Sequence, residues 1–341
     1  MEIERYDPDL PIVVNGEQVL PEVDPTKRRR QTVSVTADGS AAVQFSVAGL
    51  DIGTHHGRVR LDRQDALPID DVRYFTFAVR EPWNVLIAAG PGARAELLSE
   101  ALAPYEFRVT DQARFRTTTK PAGQIASQEL AAYSIVAVVD PPPLPASAWQ
   151  QLAAYAQRGG AVAIFLGNNA DKNSFNDAPA QELLPGRLDL QWISPQRPES
   201  FNGRADLYLA PRAMEHPMLA AFREISANVP WYDFPVFRHW SFEGNRLAEG
   251  STVAVRFSNG KPAIVERRLG EGRVLVMTTP ISDAARPAGR EPWNWLSTGL
   301  EPWPYVMLVN EMMLHLAGSG EVQLNYYSGQ APQVTVASGD D

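Results

Sequence analysis

Two rhythms of apolar and polar residues divide this chain. Before about residue 80 they alternate one for one, and beyond it uniformly apolar runs alternate with segments whose apolar residues recur every three or four positions. In the first part, positions 31–36, 43–47, 58–61 and 73–79 carry the period-two pattern of half-buried strands. Asp38-Gly39, Gly49, Asp51, Gly53 and Gly57 separate them as turn signals. In the last run Val72, Tyr74, Thr76 and Ala78 share one face, and Phe75, Phe77 and Val79 the other. Short strands at this spacing predict an immunoglobulin-like β-sandwich over residues 1–80.

From 81 to 318 the pattern predicts an α/β domain. Residues 84–89 form an apolar strand broken by Gly90-Pro91-Gly92, and Leu97, Leu98, Ala101 and Leu102 mark a helical face ending at Pro104. Strands are expected at 107–110, 135–139 and 161–166. A helix from Ala146, with Trp149, Leu152 and Tyr155 as its stripe, ends at Gly159-Gly160. Apolar strands joined by helical crossovers imply a parallel sheet covered on both faces. An irregular insertion of about 170–250 follows, rich in Pro, Asn and aromatics. Strands 252–257 and 263–268 then meet at the hairpin signal Asn259-Gly260, and Gly270-Glu271-Gly272 leads into 273–278. The final helix opens at Pro304, with Leu308, Val309, Met312 and Leu316 on one face and Gly318 beyond its end. In the tail, 319–341, Val322, Leu324, Tyr326, Val334 and Val336 alternate like the start of a further β domain.

Composition narrows the chemistry. With 341 residues there is room for two or three domains, and 44% hydrophobic with 21% charged residues is ordinary for a globular chain. The net charge of −9 argues against nucleic acid as a partner. The complete lack of cysteine excludes disulfides, thiolate nucleophiles and Cys-ligated metals. No run approaches the roughly 18 apolar residues of a membrane span. Met1 leads into Glu2, Glu4, Arg5 and Asp7 rather than a signal peptide, and both ends read as cut from a longer protein.

The order and spacing of the runs at 65–75 (DALPIDDVRYF), 158–167 (RGGAVAIFLG) and 270–275 (GEGRVL) resemble the Bat-type, aerotolerance-related bacterial membrane proteins. The strand succession from residue 84 onward is similar to the class I glutamine amidotransferase-like, flavodoxin-like three-layer α/β/α fold. The resemblance spans about three quarters of the chain. It implies N-terminal transmembrane helices outside this segment, an extracytoplasmic location, and other envelope proteins as partners. It also supplies a test, because an amidotransferase of this class needs a Cys at the turn after its fourth strand and a His-Pro-Glu run after a late strand. Here the turn reads Leu166-Gly167-Asn168-Asn169, and the late strand ends Thr278-Thr279-Pro280-Ile281. Nucleophile, base and orienting carboxylate are all missing, so no catalytic residue is expected, and no cofactor or metal.

Other chemistry is sparse. No Gly-x-Ser-x-Gly turn exists, and Ser258 and Ser282 lack a nearby His in sequence. Of the five histidines (His55, His56, His216, His239, His315), Glu215-His216-Pro217 could approach Asp233 and His239, with a capping or buried role the plainer expectation. The stretch 171–177 has a superficial likeness to a calcium loop but lacks its Gly and terminal Glu, leaving Asx turns as the default. Residues at strand carboxyl ends, where α/β proteins bind ligands, are Gly90, Gly92, Asp140, Asn168, Asn169 and Thr279. The aromatics Trp231, Tyr232, Trp240, Trp293, Trp295 and Trp303 either fill the irregular region or stand exposed for a partner or glycan. The leading expectation is a non-catalytic interaction module of an envelope protein. The alternative is a carbohydrate-binding or carbohydrate-processing auxiliary domain stacking sugars on those aromatics.

Overall fold

The computed structural model describes residues 1–5, 13–14, 17–18, 22–23, 25–36, 39–62, 71–211, 214–223, 225, 228–283, 290–318 and 324–325. The chain forms two compact units, Met1–Glu81 with Glu321–Asp341, and Pro82–Gly320.

The first unit contains strands β1 (Glu2–Arg5), β2 (Val13–Val14), β3 (Glu17–Gln18), β4 (Glu22–Val23), β5 (Gly53–Arg60) and β6 (Val72–Val79). Four of them make one antiparallel sheet in the order β4-β1-β5-β6, while β2 and β3 pair separately. Gly57 lies opposite Phe75, whose ring occupies the space a Cβ there would need. Asn325 extends the edge of β6 in ladder fashion: its amide oxygen accepts from the Thr76 N–H, and its NH2 donates to the Thr76 carbonyl, each at 2.7 Å. One expectation fails here. Positions 31–36 and 43–47 are irregular, with Val33, Val35 and Val43 exposed, so their alternation finds no buried face to occupy. A second sheet facing the first, which an immunoglobulin-like sandwich requires, is not among the described residues. Most of the predicted tail, and residues 65–70 of the first resemblance run, lie outside them.

The second unit is a three-layer α/β/α structure. It comprises β7 (Trp83–Ala89), α1 (Ala95–Leu102), α2 (Tyr105–Val109), β8 (Phe115–Pro121), β9 (Ile135–Val139), α3 (Ala146–Gln157), β10 (Ala161–Phe165), α4 (Lys172–Asn176), α5 (Ala178–Gln181), β11 (Leu188–Ile193), β12 (Arg238–Phe242), β13 (Ser251–Arg256), β14 (Pro262–Leu269), β15 (Gly272–Met277) and α6 (Trp303–Ala317). Its seven-stranded sheet runs β13-β14-β15-β10-β9-β7-β8. Strands β8, β7, β9, β10 and β15 are parallel, and the β13–β14 pair adds antiparallel at one edge. Strand pleating divides the core. Val85, Ile87, Ala137 and Phe165 pack beneath α1 and α6, whereas Leu86, Ala88, Val138 and Ile164 pack beneath α3. Burial on both faces explains why these strands read as unbroken apolar runs.

The stretch expected as a strand at 107–110 is the short helix α2, and the second strand is β8 instead. Pro104 precedes α2, and Arg108 ties back to the Glu100 carboxylate and the Ala103 carbonyl. Strand β8 is a sheet edge built largely of Arg, Thr and Lys. Its β-branched threonines suit a strand, but its polarity hides it from an apolar search. The irregular insertion contains α4, α5 and the bulged antiparallel pair β11–β12 among its turns. Asp171 caps α4 by accepting the Ser174 N–H at 2.8 Å, which is the Asx role expected for that stretch.

Candidate functional site

With β7 as first parallel strand and β9 as third, the parallel part follows the 2-1-3-4 order of doubly wound sheets. The order of strand addition reverses between the parallel neighbours β7 and β9, the place where such folds open a crevice at the strand carboxyl ends. Gly90 ends β7 and Asp140 ends β9. The crevice is closed by backbone: a Cβ on Gly90 would lie 1.8 Å from the Asp140 carbonyl oxygen. Asp140 itself adopts φ +45°, a conformation Asp tolerates better than most residues. Its carboxylate turns inward, where Oδ1 accepts the Asn169 N–H at 2.8 Å and Oδ2 the Asn169 side-chain NH2 at 3.0 Å. The same NH2 also reaches the Pro91 carbonyl at 2.8 Å, joining the turns after β7, β9 and β10.

Two residues missed in the sequence complete this cluster. Arg290 lies 3.7 Å from both Asp140 and Asp283, and Asp283 accepts the Trp293 N–H at 2.6 Å. Burial pushes the Asp140 carboxyl up to about 6. The Asn169 N–H and Arg290 pull it down, and Asp283 pushes it further up. Thr279 is fully buried: its hydroxyl donates to the Arg238 carbonyl at 2.9 Å and accepts from the Asn294 side chain at 3.0 Å. Gly167, at the turn after β10, is also tightly enclosed, since a Cβ there would lie 2.5 Å from Asp140 Oδ1. Asn168 stands exposed, and Gly92 takes φ +72° in the turn before α1. The structure thus unites Gly90, Asp140 and Asn169, and leaves Asn168 and Gly92 at the rim.

The aromatic surface does not form as a set. Trp231, Trp240 and Trp293 are buried, so of the two roles left open they take the filling one and drop out of the candidate stacking surface. Trp240 donates its indole N–H to the Gly167 carbonyl at 3.0 Å, and Trp293 lies under the Arg238 guanidinium. Trp295 is half-buried between Phe201 and Phe237, leaving Tyr232 and Trp303 exposed. The insertion needs these rings as its own core, because it has few regular elements to supply one.

A second group of polar residues gathers beside a cavity of about 1020 Å³. Glu266, buried on β14, receives His216 Nε2 at 2.9 Å and His315 Nε2 at 2.6 Å on the same Oε2, with Arg273 at 3.2 Å from Oε1. Burial alone would raise this carboxyl. The hydrogen bonds and charges of the two imidazoles outweigh it and hold it far below the usual carboxylate range. His216 therefore meets Glu266 and His315 rather than the partners expected for it. Asp233 is exposed, and His239 is sealed between Trp192 and Phe257, where burial lowers its pKa to about 4.

No known family matches the chain, and no curated protein does. Among solved structures it is similar to two cytoplasmic proteins of Salmonella typhimurium, at 14% and 16% identity and TM-scores of 0.45 and 0.46. Each alignment covers 77% of this chain and 96% of the other. It is also similar to a ThuA-like protein from Bacteroides uniformis, at 12% identity and TM-score 0.44, over 69% of this chain and 92% of that one. None of these likenesses assigns an activity to this chain. No described helix is long and apolar enough to cross a membrane.

Proposed function

We propose that this chain is a non-catalytic interaction module of class I glutamine amidotransferase-like architecture, belonging to the extracytoplasmic part of a membrane-anchored bacterial envelope protein. One observation carries the inert reading. Where the resemblance puts thiol and imidazole stand the cysteine-free turn Leu166-Gly167-Asn168-Asn169 and Thr279, and Thr279 spends its hydroxyl on Arg238 and Asn294. The neighbouring Asp140 carboxylate is likewise engaged by Asn169 and Arg290. The envelope placement draws on the three sequence runs that resemble the Bat-type proteins. An interaction role is supported by α2, whose Tyr105, Phe107 and Val109 all stand exposed on five residues.

Ammonia release from glutamine is the direct test, and the expected rate is the uncatalysed one. Turnover abolished by Thr279→Val would overturn the inert reading. In cells carrying the full-length protein, a photo-crosslinking residue at position 107 is expected to yield a discrete adduct with another envelope protein. Fractionation of that protein with the cytosol would refute the placement. Of the six aromatics considered for glycan stacking only Tyr232 and Trp303 stand exposed, so oligosaccharides are expected to leave tryptophan emission unchanged.

A further inference from the structure

We propose that His216, Glu266 and His315 form a binding site for one divalent transition-metal ion of the zinc class, with an open coordination position facing the adjoining cavity. This goes beyond the interaction reading and does not rest on it.

Three segments distant in sequence bring these residues together. His216 immediately precedes the 3-10 turn Pro217–Phe222, which packs on α6. Glu266 is on β14, on the same side as Ile264 and hence toward α6, and His315 is in the last turn of α6. One ring nitrogen of each histidine and a Glu266 oxygen all lie within 4.8 Å of one another. This is the one group of three or more such ligand residues among the described residues. Two neutral imidazoles and a carboxylate are a donor set that zinc and its neighbours take, with the remaining position left to water or a ligand. His216, Glu266, Arg273 and His315 all line the cavity, so that position opens into it.

An ordinary ion-pair network accounts for part of the arrangement, because Arg273 alone balances the Glu266 charge. It does not account for the rest. His315 Nε2 lies 2.6 Å from Glu266 Oε2 and 3.0 Å from Arg273 Nη1. Toward the carboxylate it must donate, and toward the guanidinium it must accept, and one ring nitrogen in one tautomer cannot do both. Two imidazoles also compete for the same Oε2 while Arg273 takes Oε1. A cation among the three atoms removes the conflict: both Nε2 lone pairs and Oε2 turn to the metal, and Arg273 must release His315 Nε2 while keeping Oε1. Each imidazole carries its proton on Nδ1 in that state. His216 then gives up the bond its Nδ1 accepts from the Met218 N–H, a long one at 3.3 Å. With bonds of 2.0–2.1 Å a tetrahedral ion holds its ligand atoms ~3.3 Å apart, so the two histidine–carboxylate separations must open by about half an ångström.

Isothermal titration of the chelator-stripped full chain with Zn²⁺ tests this. One equivalent is expected to bind with micromolar or tighter affinity, weakened about 100-fold or more by Glu266→Gln and by His315→Asn. Cadmium-113 NMR of the ¹⁵N-labelled unsubstituted protein supplies a readout independent of how the variants fold. A single cadmium resonance coupled to two imidazole Nε2 nitrogens is expected. Absence of saturable binding at one equivalent, binding that survives both substitutions in folded protein, or a cadmium signal without that coupling would each overturn the proposal.

Discussion

Asp140→Asn isolates the electrostatic cost of the strand-end cluster. The Asp140 carboxyl binds its proton more tightly in the folded protein, at about 6, than at its ordinary 3.8. A raised carboxyl favours folding while protonated and loses that contribution as pH climbs from 3.8 through 6. Each tenfold change in acidity is worth 1.36 kcal/mol, so the ionised carboxylate costs the folded state about 3 kcal/mol at pH 7.5 and well under 1 kcal/mol at pH 4. Asn fits the site: its amide oxygen still accepts the Asn169 N–H, and it tolerates the φ of +45°. The substitution forfeits the bond from the Asn169 side chain, about 1 kcal/mol, and leaves Arg290 with Asp283. The variant is therefore expected to be about 2 kcal/mol more stable than the parent at pH 7.5, and level with it or slightly weaker at pH 4. Urea unfolding followed by tryptophan emission measures this cleanly, because all eight tryptophans lie in the second unit. A stability difference that stays constant between pH 4 and 7.5 would show that Asp140 titrates normally and would refute the reasoning.

Other perturbations probe the same architecture. Gly90→Ala drives a methyl group to 1.8 Å from the Asp140 carbonyl, and a loss of about 3 kcal/mol is expected from the same urea measurement. Trp149 is buried against Phe175 with ring centroids 5.1 Å apart, and its indole N–H has no hydrogen-bond partner. Trp149→Ala should cost about 3–5 kcal/mol and Trp149→Phe much less, because the Phe variant loses ring volume but no hydrogen bond; equal losses would contradict this. The pKa of His239, lowered to about 4 by burial, predicts ring signals that move by no more than about a tenth of their full range in NMR between pH 7 and 5. Its contribution to stability is complete above pH 6.5 and is lost as pH falls toward 4, because the unfolded chain takes up the proton first.

Much of the second unit was legible because burial on both faces leaves unmistakable apolar runs at 84–89, 135–139 and 161–166. Strand β8 was not, since Thr117, Thr118 and Thr119 on an edge strand need no apolar face. Tyr105, Phe107 and Val109 misled in the opposite direction: strand formers by type, they sit on a helical turn after Pro104. In the first unit, alternation alone at 31–36 and 43–47 specified no strand without a partner to pair with. Strand-end logic located Gly90, Asp140 and Asn169, but Asp283 and Arg290 reach the cluster through loop geometry that sequence does not encode locally. The His216–Glu266–His315 cluster joins residues up to 99 positions apart. Its local signals were His216 beside Glu215 and a carboxylate at 266 directly after the apolar run Ala263-Ile264-Val265.

The position of α6 has a consequence for biosynthesis. This helix covers the sheet face that also holds α1, yet residues 303–317 are the last of the unit to be made. Strand β15, which completes the parallel sheet beside β10, also arrives more than a hundred residues after its neighbour. As the nascent chain leaves the ribosome, Ile87, Ala137, Phe165 and Met277 lack the part of their cover that α6 supplies until the closing helix emerges. Maturation of this unit therefore ends in a late docking step, and throughout that interval chaperones and aggregation compete for the same apolar face.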